Sequence, residues 1–137
     1  VIYDGGTCEH VFELPTAYRN IDQMLRPGGV LIGHSPCNNW INHGFYQITP
    51  EIVYGFWQKA MGYDVLDLLL QPIRPAHSRK TARTTNPNDA GGRPRIRGEL
   101  PAGSPVSLHY VVRKPQTQQA REGVYQTDYV KRWTDED

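Results

Sequence analysis

The sequence predicts an α/β fold, and three observations carry that expectation: an apolar run without alternation at residues 30–35, a helical stripe before it at residues 14–25, and a second helical stripe after it from residue 49. Strand, helix and strand at this separation form a right-handed crossover, the connection that places two strands parallel in one sheet. A chain of 137 residues has room for one modest core.

The elements follow in order. Val1-Ile2-Tyr3-Asp4 is β-rich and stops at Gly5-Gly6, residues that accept positive φ, which reads as the carboxyl end of a parallel strand. Leu14, Ala17, Tyr18, Ile21, Met24 and Leu25 recur at three and four residues and line one helical face. Pro15 suits the first turn of that helix, and Pro27-Gly28-Gly29 ends it. Val30-Leu31-Ile32-Gly33-His34-Ser35 has the composition expected of a strand covered on both faces. Thr49-Pro50-Glu51 supplies an N-cap, an N1 proline and an early acid. Ile52, Val53, Phe56, Trp57 and Ala60 then continue as an amphipathic helix that stops near Gly62.

Residues 63–70 and 106–114 are two further strands. Between them, residues 71–104 are rich in proline and poor in apolar side chains, the composition of a flexible insertion. It is basic, with Arg74, Arg79, Lys80, Arg83, Arg93, Arg95 and Arg97. Residues 1–114 thus form one domain interrupted by residues 71–104. The tail, residues 115–137, carries Val124, Tyr125, Tyr129, Val130 and Trp133, suited to a short docking helix before an acidic end.

Composition excludes several classes of function. Fifteen basic and 14 acidic residues leave a formal charge of +1, which argues against a protein built as a whole to neutralise phosphates. Nucleic acid is left only the basic insertion, whose arginines have no interleaved aromatics to stack on bases. No apolar run approaches the roughly 20 residues that cross a bilayer, so no membrane is expected and the location is read as cytoplasmic. Cys8 and Cys37 have neither metal-knuckle spacing nor the density of a disulfide scaffold and read as reduced thiols. No histidine or cysteine pair has close ligand spacing, so no metal is expected.

Two stretches carry a family resemblance. Asp4-Gly5-Gly6-Thr7-Cys8-Glu9-His10-Val11-Phe12 resembles the segment after the fourth strand of class I, Rossmann-like, S-adenosylmethionine-dependent methyltransferases. Leu25-Arg26-Pro27-Gly28-Gly29-Val30-Leu31-Ile32 resembles the Leu-Lys-Pro-Gly-Gly turn into their fifth strand. Ser35-Pro36-Cys37-Asn38-Asn39 and the segment from His43 to Glu51 look like a subgroup acting on small molecules or cell-surface sugars. The likeness is residue by residue over about the first 57 residues and topological beyond them.

The resemblance implies the C-terminal half of a Rossmann-like methyltransferase sheet, parallel strands with a terminal antiparallel strand, lacking the first three strands. The glycine-rich turn and the ribose-binding acid would precede Val1, so this chain alone is expected to bind S-adenosylmethionine poorly. Asp4, Gly5, Gly6 and Glu9 would face the cofactor. His10, His34 and His43 are the candidate catalytic residues, an imidazole being suited to taking a proton from an acceptor hydroxyl near neutral pH. Asn38, Asn39 and Tyr46 would contact a small-molecule or sugar acceptor. A different class of reading is a non-catalytic interaction module, in which the exposed edge strand at residues 1–4 recruits a partner chain.

Overall fold

The structure, a computed structural model, describes residues 1–90, 92–118 and 123–134. The chain runs β1 (Ile2–Gly5), a 3-10 turn (Cys8–His10), α1 (Leu14–Met24), β2 (Val30–Asn38), a π-helix (Ile52–Ala60) and β3 (Asp64–Pro72). A second 3-10 turn (Pro75–His77), β4 (Ala82–Thr84), α2 (Pro87–Ala90), β5 (Ile96–Gly98), β6 (Val106–Arg113) and α3 (Thr127–Thr134) follow. One six-stranded sheet has the order β1-β2-β6-β3-β4-β5. β1 and β2 are parallel, while every other adjacent pair is antiparallel.

The expectation of an α/β fold holds, but the pairing is mostly antiparallel. The reason is the position of β6, which inserts between β2 and β3 and runs against both. β2 and β3 therefore point the same way without touching. The crossovers from β1 to β2 and from β2 to β3 step in one direction, and right-handed crossovers in one direction lie on one side of a sheet. Side chains of α1 and the π-helix accordingly share a single core with Leu31, Leu68, Leu70, Leu108, Tyr110 and Val112.

That arrangement corrects the expected two-sided burial of β2. Leu31, Gly33 and Ser35 are buried, whereas Ile32 is 38% exposed and His34 is half-buried. The open face continues through Tyr3, His109 and Val111, which stand beside Ile32 and His34 in the register. Gly33 is a packing requirement: a Cβ there would sit 2.1 Å from Cζ of Tyr110, so only glycine lets the ring lie against the strand.

Local chemistry sets the helix ends. Leu14, Tyr18 and Ile21 form the buried stripe of α1. Its last turn is held from across the domain, because Lys114 Nζ donates to the carbonyls of Asp22 (2.6 Å) and Leu25 (3.0 Å). Gly28 takes φ +76 in the turn that follows, and its N–H donates to the Lys114 carbonyl at 2.9 Å. The predicted second helix is present but wide-wound, closing with Met61 N–H donating to the Phe56 carbonyl. It buries the consecutive run from Val53 to Trp57. Outer-face burial comes from later segments: Asn88 Nδ2 donates to the Tyr54 carbonyl at 3.0 Å, and a Cβ on Gly55 would stand 3.6 Å from the Tyr125 carbonyl oxygen.

Within residues 71–104, the described residues form two short strands. β4 adds to the edge of β3, β5 pairs with β4, and Ala82 enters the core. A segment too polar to form a core can still satisfy its backbone on an open sheet edge. Asp67 pairs with Arg83, and Arg93 Nε lies 2.7 Å from Asp128 Oδ2. The tail docks as a short helix, with Thr127 Oγ1 donating to Glu51 Oε2 at 3.0 Å. The acidic end, at residues 135–137, lies outside the described residues. No helix among the described residues is long and apolar enough to cross a membrane.

Candidate functional site

The site is built where β1 ends. Asp4 is buried, and its Oδ1 accepts from the N–H groups of Thr7 (2.9 Å) and Cys8 (3.4 Å), which closes the turn after the strand. Gly6 takes φ +100 within that turn, and a Cβ on it would approach Glu9 Oε1 to 3.1 Å. The 3-10 turn then points Glu9 inward, 1% exposed, and leaves His10 outward.

A loop 33 residues further on is strapped over the same point. The Glu9 carbonyl accepts from the N–H groups of Phe45 (2.8 Å) and Tyr46 (3.3 Å). Gly44, at φ +68, lies so close that a Cβ would stand 2.8 Å from that carbonyl oxygen. Tyr46 Oη donates to the Phe12 carbonyl at 2.8 Å, and the Phe12 and Phe45 rings meet edge to face at 5.6 Å. These bonds bring His43 beside His10, with ring centroids 4.8 Å apart. Glu9 Oε1 lies 3.8 Å from Nε2 of His10 and 3.7 Å from Nε2 of His43. The Trp40 ring lies 5.1 Å from His43 and closes one side.

Of the residues expected at a site, the fold gathers Glu9, His10 and His43, with Asp4, Gly5 and Gly6 shaping the turn at their base. Others are elsewhere or are committed to holding the loop. His34 stacks on His109 at 4.5 Å on the open sheet face. Burial, and then the neighbouring His34, hold the His109 imidazole below the ordinary histidine range. Asn39, at φ +61, spends its amide on the Ser104 carbonyl at 2.9 Å. Trp40 Nε1 donates to the Val106 carbonyl at 2.9 Å. Tyr46 is likewise committed to Phe12, so the hydroxyl serves the loop.

Asn38 lines a separate cavity of about 390 Å³ at the ends of β2 and β3, with Cys37, Leu70, Thr84, Arg93 and Ile96. Thr84, Arg93 and Ile96 come from residues 71–104, and no local pattern marked them as cavity residues. Burial pushes the Cys37 thiol up to about 11. Burial, reinforced by Asp4, pushes Cys8 up to about 12. Both shifts favour the thiol over the thiolate, the more nucleophilic form.

Against known proteins the chain is unmatched: no family profile, no curated protein and no solved structure aligns with it.

Proposed function

We propose that this chain is the acceptor-side portion of a Rossmann-like S-adenosylmethionine-dependent methyltransferase acting on a small molecule or sugar. The observation that carries the reading is the strand arrangement. β1, β2 and β3 share one direction, and the last strand, β6, runs against its two neighbours, the pattern that the motif resemblance implies. In this reading the first three strands of the parent sheet lie beyond the free edge of β1 and precede Val1.

The residues present fit one side of the cofactor and not the whole of it. Gly5 and Gly6 stand at the carboxyl edge of β1, where ligands of open α/β sheets bind. Asp4 Oδ1 is used by its own turn, and Glu9 is buried beneath the two imidazoles. When bound, S-adenosylmethionine supplies an electrophilic methyl group. The chain's own part is proximity and proton handling. His10 or His43 takes the proton of an acceptor hydroxyl at Nε2, and Glu9 Oε1 stabilises the resulting imidazolium.

Calorimetric titration with S-adenosylmethionine tests the proposal on this chain and on one extended through the residues encoded before Val1. Binding by the extended form alone supports it, and absence of binding by both overturns it.

One observation favours the interaction-module reading. β1 pairs only with β2 among the described residues, and Val1 and Tyr3 are 89% and 67% exposed. Sedimentation of this chain over a concentration series tests whether that edge recruits a second copy; a monomer throughout removes self-pairing. Residues 71–104 offer a nucleic acid less than their composition suggests, because Lys80, Arg83 and Arg93 already pair with Glu99, Asp67 and Asp128.

A further inference from the structure

We infer that Glu9, His10 and His43 form a binding site for one divalent transition-metal ion of the zinc type. Two imidazole nitrogens and one carboxylate oxygen converge there, all within 4.8 Å of one another. A tetrahedral zinc ion with bonds of about 2.0–2.1 Å spaces its ligand atoms about 3.3–3.4 Å apart. The Glu9 oxygen stands 3.7 and 3.8 Å from the two nitrogens, and with all three atoms inside 4.8 Å the half-exposed imidazoles rotate inward by up to about 1.4 Å to close the site.

Three further features point the same way. Glu9 is buried, yet its Oε2 makes no hydrogen bond, and the two Oε1–imidazole separations are longer than hydrogen bonds. A buried carboxylate whose nearest cationic partners are two half-exposed imidazoles beyond hydrogen-bond distance is costly, and a cation bound at its mouth offsets that cost. The loop carrying His43 is bonded to the Glu9 backbone, so the ligands are preorganised from two distant segments. The histidine side chains are 49% and 43% exposed, which lets an ion enter and keeps a coordination position open. Donors of this kind select zinc, cobalt or iron(II) over magnesium or calcium, which prefer all-oxygen sites. Ligand spacing along the chain did not reveal the site, because the two histidines lie 33 positions apart.

The inference stands apart from the methyltransferase reading. If both hold, His10 and His43 would serve as ligands in place of bases, the ion would lower the proton affinity of an acceptor oxygen at the open position, and the released proton would pass to solvent.

The test is a cofactor-free titration of the metal-stripped 137-residue chain with cobalt(II), followed by competition with zinc. Expected are one cobalt per chain, visible bands of a low-coordinate ion, and displacement by zinc. His10→Ala and His43→Ala should each weaken binding by at least about tenfold, and the double variant should lose the bands. His109→Ala should bind as the unaltered chain does. Circular dichroism checks that the variants fold, and histidine NMR needs no variant: one equivalent of zinc should shift the His10 and His43 ring signals and leave His34, His77 and His109 in place. Uptake no greater than that of the double variant, or shifts confined to His34 and His109, overturns the inference. Either failure leaves the cofactor titration and its reading untouched.

Discussion

Replacing Gly33 by alanine probes the packing that seats β6 beside β2. The new Cβ would lie 2.1 Å from Cζ, 2.3 Å from Cε1 and 2.6 Å from Oη of Tyr110. Carbon atoms in packed interiors rest about 3.5–4.0 Å apart, so the ring must retreat by about 1.4 Å or more. It has little room: Tyr110 is 1% exposed, and its hydroxyl already faces Tyr18 and Trp57 in the core. Overpacking of this kind costs about 1–3 kcal/mol, and full confinement places Gly33→Ala near about 3 kcal/mol. Against a total stability of about 5–15 kcal/mol the loss is large. Urea denaturation measures it, and the Tyr110→Leu background isolates the cause. Without the ring the alanine should cost about 1 kcal/mol or less, a coupling of about 2 kcal/mol. A cost below about 0.5 kcal/mol in the unaltered chain, or an equal cost on both backgrounds, refutes the clash.

Gly44→Ala should destabilise by about 1–2 kcal/mol from the left-handed backbone alone. It should also push the His43 loop off the Glu9 carbonyl, read as weakened nuclear Overhauser contacts between the His10 and His43 rings. Stability should fall in alkali. Burial raises the proton affinity of Cys8, Tyr18, Tyr63 and Tyr110 in the folded state. Above about pH 9 the unfolded chain releases protons that the native chain keeps, so unfolding is favoured progressively; a flat urea midpoint from neutrality to pH 10 would contradict this. His109 works in the opposite direction. Its folded imidazole resists protonation, so below about pH 6.5 the unfolded state binds the extra proton and stability drops. His109→Phe should flatten that acid limb, and NMR titration of His34→Ala should return His109 only part of the way, because burial is the larger cause.

Local conformation was largely legible from the residues. The stripe from Leu14 to Leu25, the Pro27-Gly28-Gly29 stop and the strands expected at residues 63–70 and 106–114 all have counterparts in α1, β3 and β6. Periodicity and turn chemistry act over a few residues, so they are written in the chain itself. Neighbourhood is not. The apolar run of β2 could not disclose that helices cover only one of its faces, since an exposed Ile32 and a buried Leu31 look alike in composition. Nor could the prolines of residues 71–104 announce that β3 would leave an edge on which β4 and β5 could pair.

The same division runs through the candidate site. Glu9 and His10 stood out as a motif beside a glycine turn, and His43 as a loop histidine, but nothing in their spacing joined them. Their meeting depends on the Glu9 carbonyl accepting two backbone N–H groups from the distant loop, and on Gly44 having no Cβ to obstruct it. Periodic side chains and turn formers settled which segments become strand or helix, because those forces are local. Tertiary packing alone decided which faces are covered and which side chains converge, because both depend on contacts between segments far apart in the chain.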